Sequence, residues 1–378
     1  PAYGFSRNRP GMEKAERDLE TGVSNLLFNC GACRPGDRIL IVHETDDGGY
    51  YDPGLAPAVA RLARLFGLEP QLRPVAFDPD AVAPGAALEA DMAAADWTVF
   101  FARLGDQLRF QPGEGAGRQI VSYALDRTTL ASAFGRTDYA ALSALCDLID
   151  NAFAAAAQVQ ITCPAGTDLS GRMSTPVGTD TTRRRFPRSV FTPVPASGFR
   201  GHVAQRGFLT GTGSRYYDPY ACEIRDTLFV GMDGTSITGL DGSAADVEAA
   251  RAHYTFVGDR FGIDPWHVHS WHAGVHPGCR YDRRASAGFE RWSGSAFGNP
   301  RLLHFHTCGA YPPGEISLNV LDPTVTLDGV ALWDSGRLCP ERIPGGAALL
   351  AAHPSLAALF ERPETDVGQG AGGTLSYR

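Results

Sequence analysis

Apolar residues first recur at helical spacing. Leu19, Val23, Leu26 and Leu27 share one face of a segment from Met12 to about Phe28, with charges opposite. After a turn at Arg34-Pro-Gly-Asp37, the unbroken run Arg38-Ile-Leu-Ile-Val42 has the form of a strand buried on both faces. Leu55, Val59, Leu62 and Leu65 return to helical spacing, and Gly67 ends that helix. Gln71 to Phe77 and Trp97 to Phe101 read as further strands, with an alanine-rich helix over Ala86–Ala95 between them. A long helix from Tyr139 to Ala156 leads into Val159-Gln-Ile-Thr162. This alternation predicts an α/β N-terminal domain with a mainly parallel sheet over residues 1–160. No G-x-G-x-x-G follows any of these strands, so no dinucleotide site is predicted.

Beyond Cys163 the texture changes. Gly, Pro, Ser and Thr dominate from Pro164 to Arg200, and Asp-Gly turns stand at Asp233-Gly234, Asp241-Gly242 and Asp328-Gly329. Short β-rich segments around such turns predict hairpins, clearest in Thr324-Val-Thr-Leu-Asp-Gly-Val-Ala-Leu. Residues 161–378 are therefore expected to form an α+β, largely antiparallel C-terminal domain.

Composition narrows the function classes. A net charge of −8 and a single short basic run, Arg183-Arg184-Arg185 with Arg188, give no sign of nucleic-acid affinity, and no nucleic-acid partner is expected. That run is a solvated loop or, with Arg184 and Arg185, a clamp for a substrate carboxylate. No apolar run approaches about 18 residues, and the start Pro1-Ala-Tyr-Gly-Phe-Ser-Arg has no apolar core, so neither membrane span nor signal peptide is expected. Eight irregularly spaced cysteines, including a lone Cys30-Gly-Ala-Cys33, fit buried thiols of a cytoplasmic protein.

The candidate chemistry is concentrated. Six of the ten histidines fall in His267-Val-His269-Ser-Trp-His272-Ala-Gly-Val-His276 and His304-Phe-His306. In a strand, residues i and i+2 share a face, so His304, His306 and Cys308 can line one strand and His267 and His269 another. Two such strands side by side supply enough donors for a divalent transition metal, iron or zinc. The expected ligands are His269, His304 and His306. Glu223, Glu290 and Glu315 are the available carboxylates, with Glu223 or Glu315 as general base. Nearby aromatics, Trp271 among them, offer an apolar wall for a ring or peptide side chain. Hydrogen-bonded packing and metal-free acid/base use are the competing assignments for the cluster.

Asn25-Leu-Leu-Phe-Asn-Cys-Gly-Ala-Cys-Arg-Pro-Gly-Asp-Arg-Ile-Leu-Ile-Val resembles the opening helix, Pro-Gly turn and first strand of the thermophilic, aminopeptidase T-like metallopeptidases, whose relatives include the 2,5-dihydroxypyridine dioxygenases. Val159-Gln-Ile-Thr-Cys-Pro-Ala-Gly-Thr-Asp-Leu resembles the family's strand followed by Gly-Thr-Asp-Leu. Ser270-Trp-His-Ala-Gly-Val-His-Pro, Gly298-Asn299 and the Thr324–Gly329 hairpin are similar in order to its C-terminal metal-binding domain. The resemblance implies a site on that domain facing a cleft, metal-dependent peptide hydrolysis or ring cleavage by non-haem iron, and a homo-oligomer. It also shows departures. The family's His-x-Asp ligand pair falls on Ser317-Leu-Asn319, leaving those two for substrate binding. An earlier ligand histidine falls on Ser270, or on His269 after a one-residue shift, and Glu223 matches a family glutamate. Two functions follow. One is a metal-dependent enzyme with a rearranged site, acting on an amide, a peptide or a nitrogen heterocycle. The other is a non-catalytic relative that has lost the metal and binds a peptide or small molecule in a biosynthetic pathway.

Overall fold

The computed structural model describes residues 13–45, 49–113, 115–173 and 181–378. Residues 1–7 and Met12, the predicted helix start, lie outside them. Two compact units form: one from the residues up to Leu142 with Thr181–Arg188, the other from the remainder. The division falls within the helix Tyr139–Ala155. The chain runs through β1 (Arg38–Glu44), β2 (Glu69–Val75), β3 (Trp97–Phe101) and β4 (Gln119–Ser122). It then supplies β5 (Val159–Thr162) and β6 (Asp168–Gly171) to the second unit before returning with β7 (Arg184–Phe186).

The first unit is built on a five-stranded sheet in the order β2-β1-β3-β4-β7, paired in parallel throughout. The apolar run of β1 is buried on both faces, as its lack of alternation predicts. Ile39 and Ile41 enter a core with Leu19, Val23, Leu55 and Val59, residues of the helices Lys14–Ser24 and Leu55–Leu65. Leu40 and Val42 enter another with Leu88, from the helix Ala86–Ala94, and Phe100. The basic run is not a loop: Arg184 and Arg185 belong to β7, and Arg183 is buried with Nε donating to Gln119 Oε1 at 2.7 Å.

The second unit adds β8 (Val194–Pro195), β9 (Phe199–Thr210), β10 (Ala221–Asp233), β11 (Ser236–Asp241), β12 (Val268–Ala273), β13 (Leu302–Thr307), β14 (Ile316–Leu321), β15 (Thr324–Leu327), β16 (Val330–Asp334) and β17 (Arg337–Leu338). Its antiparallel sheet runs β17-β16-β15-β5-β6-β9-β14-β13-β12-β8, with β10 joined to β9 and β11 to β10. Two of the three Asp-Gly turns, Asp233-Gly234 and Asp328-Gly329, close hairpins, whereas Asp241-Gly242 leads from β11 into a helix. Asp328 and Gly329 take φ of 47° and 86° between β15 and β16, the left-handed pair a two-residue hairpin needs. Ser243, after Asp241-Gly242, caps the helix Ala244–Phe261 by accepting from Asp246 N. No helix among the described residues is long and apolar enough to cross a membrane.

Candidate metal centre

The centre of the second sheet, β12-β13-β14, is a polar plate on one face and core on the other. The ladder aligns Ser270 with His306 and His306 with Ser317; one step along, it aligns His272 with His304 and His304 with Asn319. Residues directly opposite share a face, so these six side chains stand together. Between these rows lie Trp271, Phe305 and Leu318, all fully buried on the opposite face. Trp271 packs there with Phe153 and Phe199, each ring centroid 5.5 Å away. An apolar residue between each pair of polar ones thus sets the parity of the plate, and burial of the aromatics holds the register.

On this plate three imidazoles converge. His272 Nε2 lies 2.9 Å from His304 Nε2 and 3.3 Å from His306 Nε2, and His272, His304 and His306 form a cluster able to hold a metal ion. Four ligands at about 2.1 Å around a tetrahedral ion stand about 3.4 Å apart, so the spacing is close to that of a ligand set. The outer ring nitrogens matter as much. His272 Nδ1 is 3.1 Å from the carbonyl of Phe191, which can only accept, so Nδ1 carries the proton and Nε2 presents a lone pair. His306 Nδ1 is 2.9 Å from Glu315 Oε1, whose charge favours a proton on that nitrogen although the two are not aligned as a hydrogen bond. His272 Nε2, left with its lone pair, faces a proton on a neighbouring imidazole or a cation at these distances. His304 stacks on Phe297 with centroids 4.0 Å apart, which restrains its ring. Glu315 is buried, its Oε2 accepts from Thr212 Oγ1 and its main-chain carbonyl from Tyr217 Oη at 2.8 Å.

The predicted site residues separate into two groups. His304, His306, Glu315, Ser317 and Asn319 come together around the plate. His269 does not join the triad: a bulge between Val268 and Ser270 takes it out of the ladder, and His272 occupies the third corner. Its Nδ1 meets Ser270 Oγ at 2.8 Å and its ring faces Tyr311 at 4.8 Å. Burial, and then the neighbouring His306, push its pKa down; Glu315 pulls it up, and His267 adds a smaller push down. Ser317 Oγ donates to Asn319 Oδ1 at 2.8 Å, one strand over from the imidazoles. Glu315 has both carboxylate oxygens engaged, the posture of a ligand-orienting carboxylate.

The others serve elsewhere. Glu223, on β10, is paired with Arg225 at 3.4 Å and Arg378 at 3.2 Å, outside the cluster. Glu290 accepts from Arg215 N at 2.8 Å. Trp271 is core on the reverse of the plate and forms no substrate wall. Arg184 belongs to the first unit, where Nε donates to the Gly117 carbonyl at 3.0 Å and the guanidinium lies 5.0 Å over Trp97. Cys308 leaves the strand at a left-handed φ of 61°, and burial lifts its thiol to about 12. Burial likewise lifts Cys30 to about 12 and raises Cys33, the opposite of an activated redox pair. His272 is the member of the cluster that spacing alone missed. The signal for it was Trp271, whose place in the core puts 270 and 272 on the other face.

No family model matches the chain, and no curated protein matches it. Among solved structures it is similar to the 2,5-dihydroxypyridine dioxygenase of Pseudomonas putida KT2440 at 15% identity and a TM-score of 0.57, over 89% of this chain and 99% of that one. A further likeness is to AmpT from Thermus thermophilus, at 12% identity and a TM-score of 0.48, over 85% of this chain and 99% of that one. The chain therefore has the fold of the dioxygenase, the architecture that the motifs of its first strand, Gly-Thr-Asp-Leu segment and final hairpin had implied.

Proposed function

We propose that the protein is a metal-dependent enzyme whose divalent transition metal, iron or zinc, is held by His272, His304 and His306. The observation that carries this reading is the pair of outer contacts, Phe191 carbonyl to His272 and Glu315 to His306, which turn two Nε2 lone pairs toward one point. A bound metal supplies Lewis-acid polarisation of a substrate oxygen, with positions left open by a three-histidine set. The chain's own groups do the rest. Glu315 holds the proton on His306 Nδ1 and orients the ring, and Phe191 does the same for His272. Ser270 lies in the row of His306, and Ser317 and Asn319 flank the triad with a hydroxyl and an amide for an amide, peptide or nitrogen-heterocycle substrate.

The alternative is a non-catalytic relative that binds its ligand without metal, favoured by the Ser317–Asn319 hydrogen bond where the resemblance places a ligand pair. Elemental analysis of protein purified without a histidine tag separates the two. The enzyme reading expects about one equivalent of iron or zinc per chain, retained by His269→Ala and lost from His272→Ala and His306→Ala. Less than about a tenth of an equivalent, with no uptake on reconstitution, leaves the binding protein.

A further inference from the structure

Thr98, Gln119 and Arg183 form a row across the first sheet at the amino ends of β3, β4 and β7. Thr98 pairs with Gln119, and the pairing of Ile120 with Arg184 brings Gln119 beside Arg183 one step back. By strand alternation Thr98 shares the face of Phe100, which packs with Leu88 of the helix Ala86–Ala94. The row is polar yet buried: Arg183 and Gln119 are each 6% exposed and Thr98 is 2%. All three line a cavity of about 530 Å³ within the first unit, a size that small-molecule sites take.

Arg183 is a buried cation without an acid. Nε donates to Gln119 Oε1 at 2.7 Å, and Nη1 donates to the carbonyls of Leu108 and Gln111, the latter at 3.0 Å. These neutral acceptors leave the charge uncompensated, since a guanidinium keeps its proton in a protein. Among the described residues no carboxylate pairs with it, and burial alone pushes its pKa down. Nη2 has no acceptor among the described residues and retains accessible surface. It lies 3.9 Å from where a side chain on Gly113 would start, and Gly113 also lines the cavity. The bond from Arg183 fixes Oε1 of the Gln119 amide, so Nε2 is a second donor, likewise accessible and without a partner among the described residues.

A cationic donor beside an amide donor suits the two oxygens of one carboxylate. Ala83, Pro84, Met92 and Pro112 give the cavity an apolar wall, while Glu89 and Asp96 line it too and set their charges against a dianion. We propose that the cavity binds a small organic monocarboxylate, its oxygens on Arg183 Nη2 and Gln119 Nε2 and its hydrocarbon part along Ala83, Pro84, Met92 and Pro112.

Saturation-transfer NMR titration of the full chain with hexanoate tests it, with hexan-1-ol as the uncharged probe and inorganic phosphate as a competitor. Hexanoate should bind saturably and hexan-1-ol at least about tenfold more weakly, the worth of one charge-assisted hydrogen bond. Equimolar phosphate should not displace it. Gln119→Glu keeps an acceptor for Arg183 Nε but neutralises the guanidinium, and should weaken hexanoate at least about tenfold with an unchanged circular dichroism spectrum. Met92→Glu touches no partner of Arg183, adds a negative charge to the cavity and should weaken hexanoate as well. His306→Ala should leave the affinity unchanged, which separates this site from a carboxylate bound at a metal. Absence of saturation to about 10 mM hexanoate, equal binding of hexan-1-ol or displacement by equimolar phosphate overturns the assignment. So does equal affinity in the parent, Gln119→Glu and Met92→Glu proteins, or loss of binding in His306→Ala.

Discussion

Three residues separate a histidine of the cluster from one outside it. His269 and His272 are three apart, so strand alternation alone puts them on opposite faces, and the bulge at Val268/Ser270 frees His269 from the ladder altogether. Glu315 makes the same point about chemistry. At 2.9 Å from His306 Nδ1 its charge would favour a proton on that nitrogen, which a neutral glutamine would do less well. Glu315→Gln is therefore expected to lower metal affinity by about 10- to 100-fold while keeping the fold, as a competitive chelator titration followed by circular dichroism would measure. An unchanged affinity would mean that Glu315 plays no part in setting the donor atom of His306. Glu223→Gln, on exposed ion pairs with Arg225 and Arg378, should leave affinity untouched.

Among the elements, the helix Ala244–Phe261 carries a liability of its own. His253 is buried beside Tyr217 and Phe256, its Nε2 has no partner among the described residues, and desolvation lowers its pKa to about 4. The unfolded chain, with a histidine near 6.5, takes up the proton first. The stability due to this group is complete above pH 6.5, falls as the pH drops, and levels off near 4, a loss of about 3 kcal/mol. His253→Phe should flatten the pH dependence of denaturant unfolding between 6.5 and 4 by nearly one proton. The parent's slope persisting in the variant would exclude His253 as its source. Such elements differ in how far the sequence discloses them. β1 was readable because burial on both faces writes itself as an unbroken apolar run, and the Asp328-Gly329 hairpin because its backbone demands left-handed residues. β4 and β7, with four and three residues, are too short to show any period. The site was half readable: His304 and His306 lie on one strand, but the contacts that complete it, Phe191 to His272 and Thr212 to Glu315, join positions 81 and 103 apart. No local pattern encodes those pairings.

At the scale of the whole molecule, a metal held by the triad would be a ligand of one unit alone. The triad and its supports Phe191, Thr212 and Glu315 all belong to the second unit, so metal binding stabilises that unit by linkage, about 2.7 kcal/mol when free metal is 100 times Kd. For a unit of this size each kcal/mol moves the melting point by about 2–4 °C, so stripping the metal should lower it by about 5 °C or more. The tryptophans report on the right part of the protein: Trp266, Trp271, Trp292 and Trp333 lie in the second unit and Trp97 alone in the first. In a Trp97→Phe background, thermal unfolding followed by tryptophan emission isolates the second unit's transition. Chelation should shift that transition down and re-addition of zinc should restore it, while His272→Ala should melt at the chelated temperature and respond to neither. If a sample of verified metal content melts at the same temperature before and after chelation, the ion it carries is not held by a folded three-histidine centre.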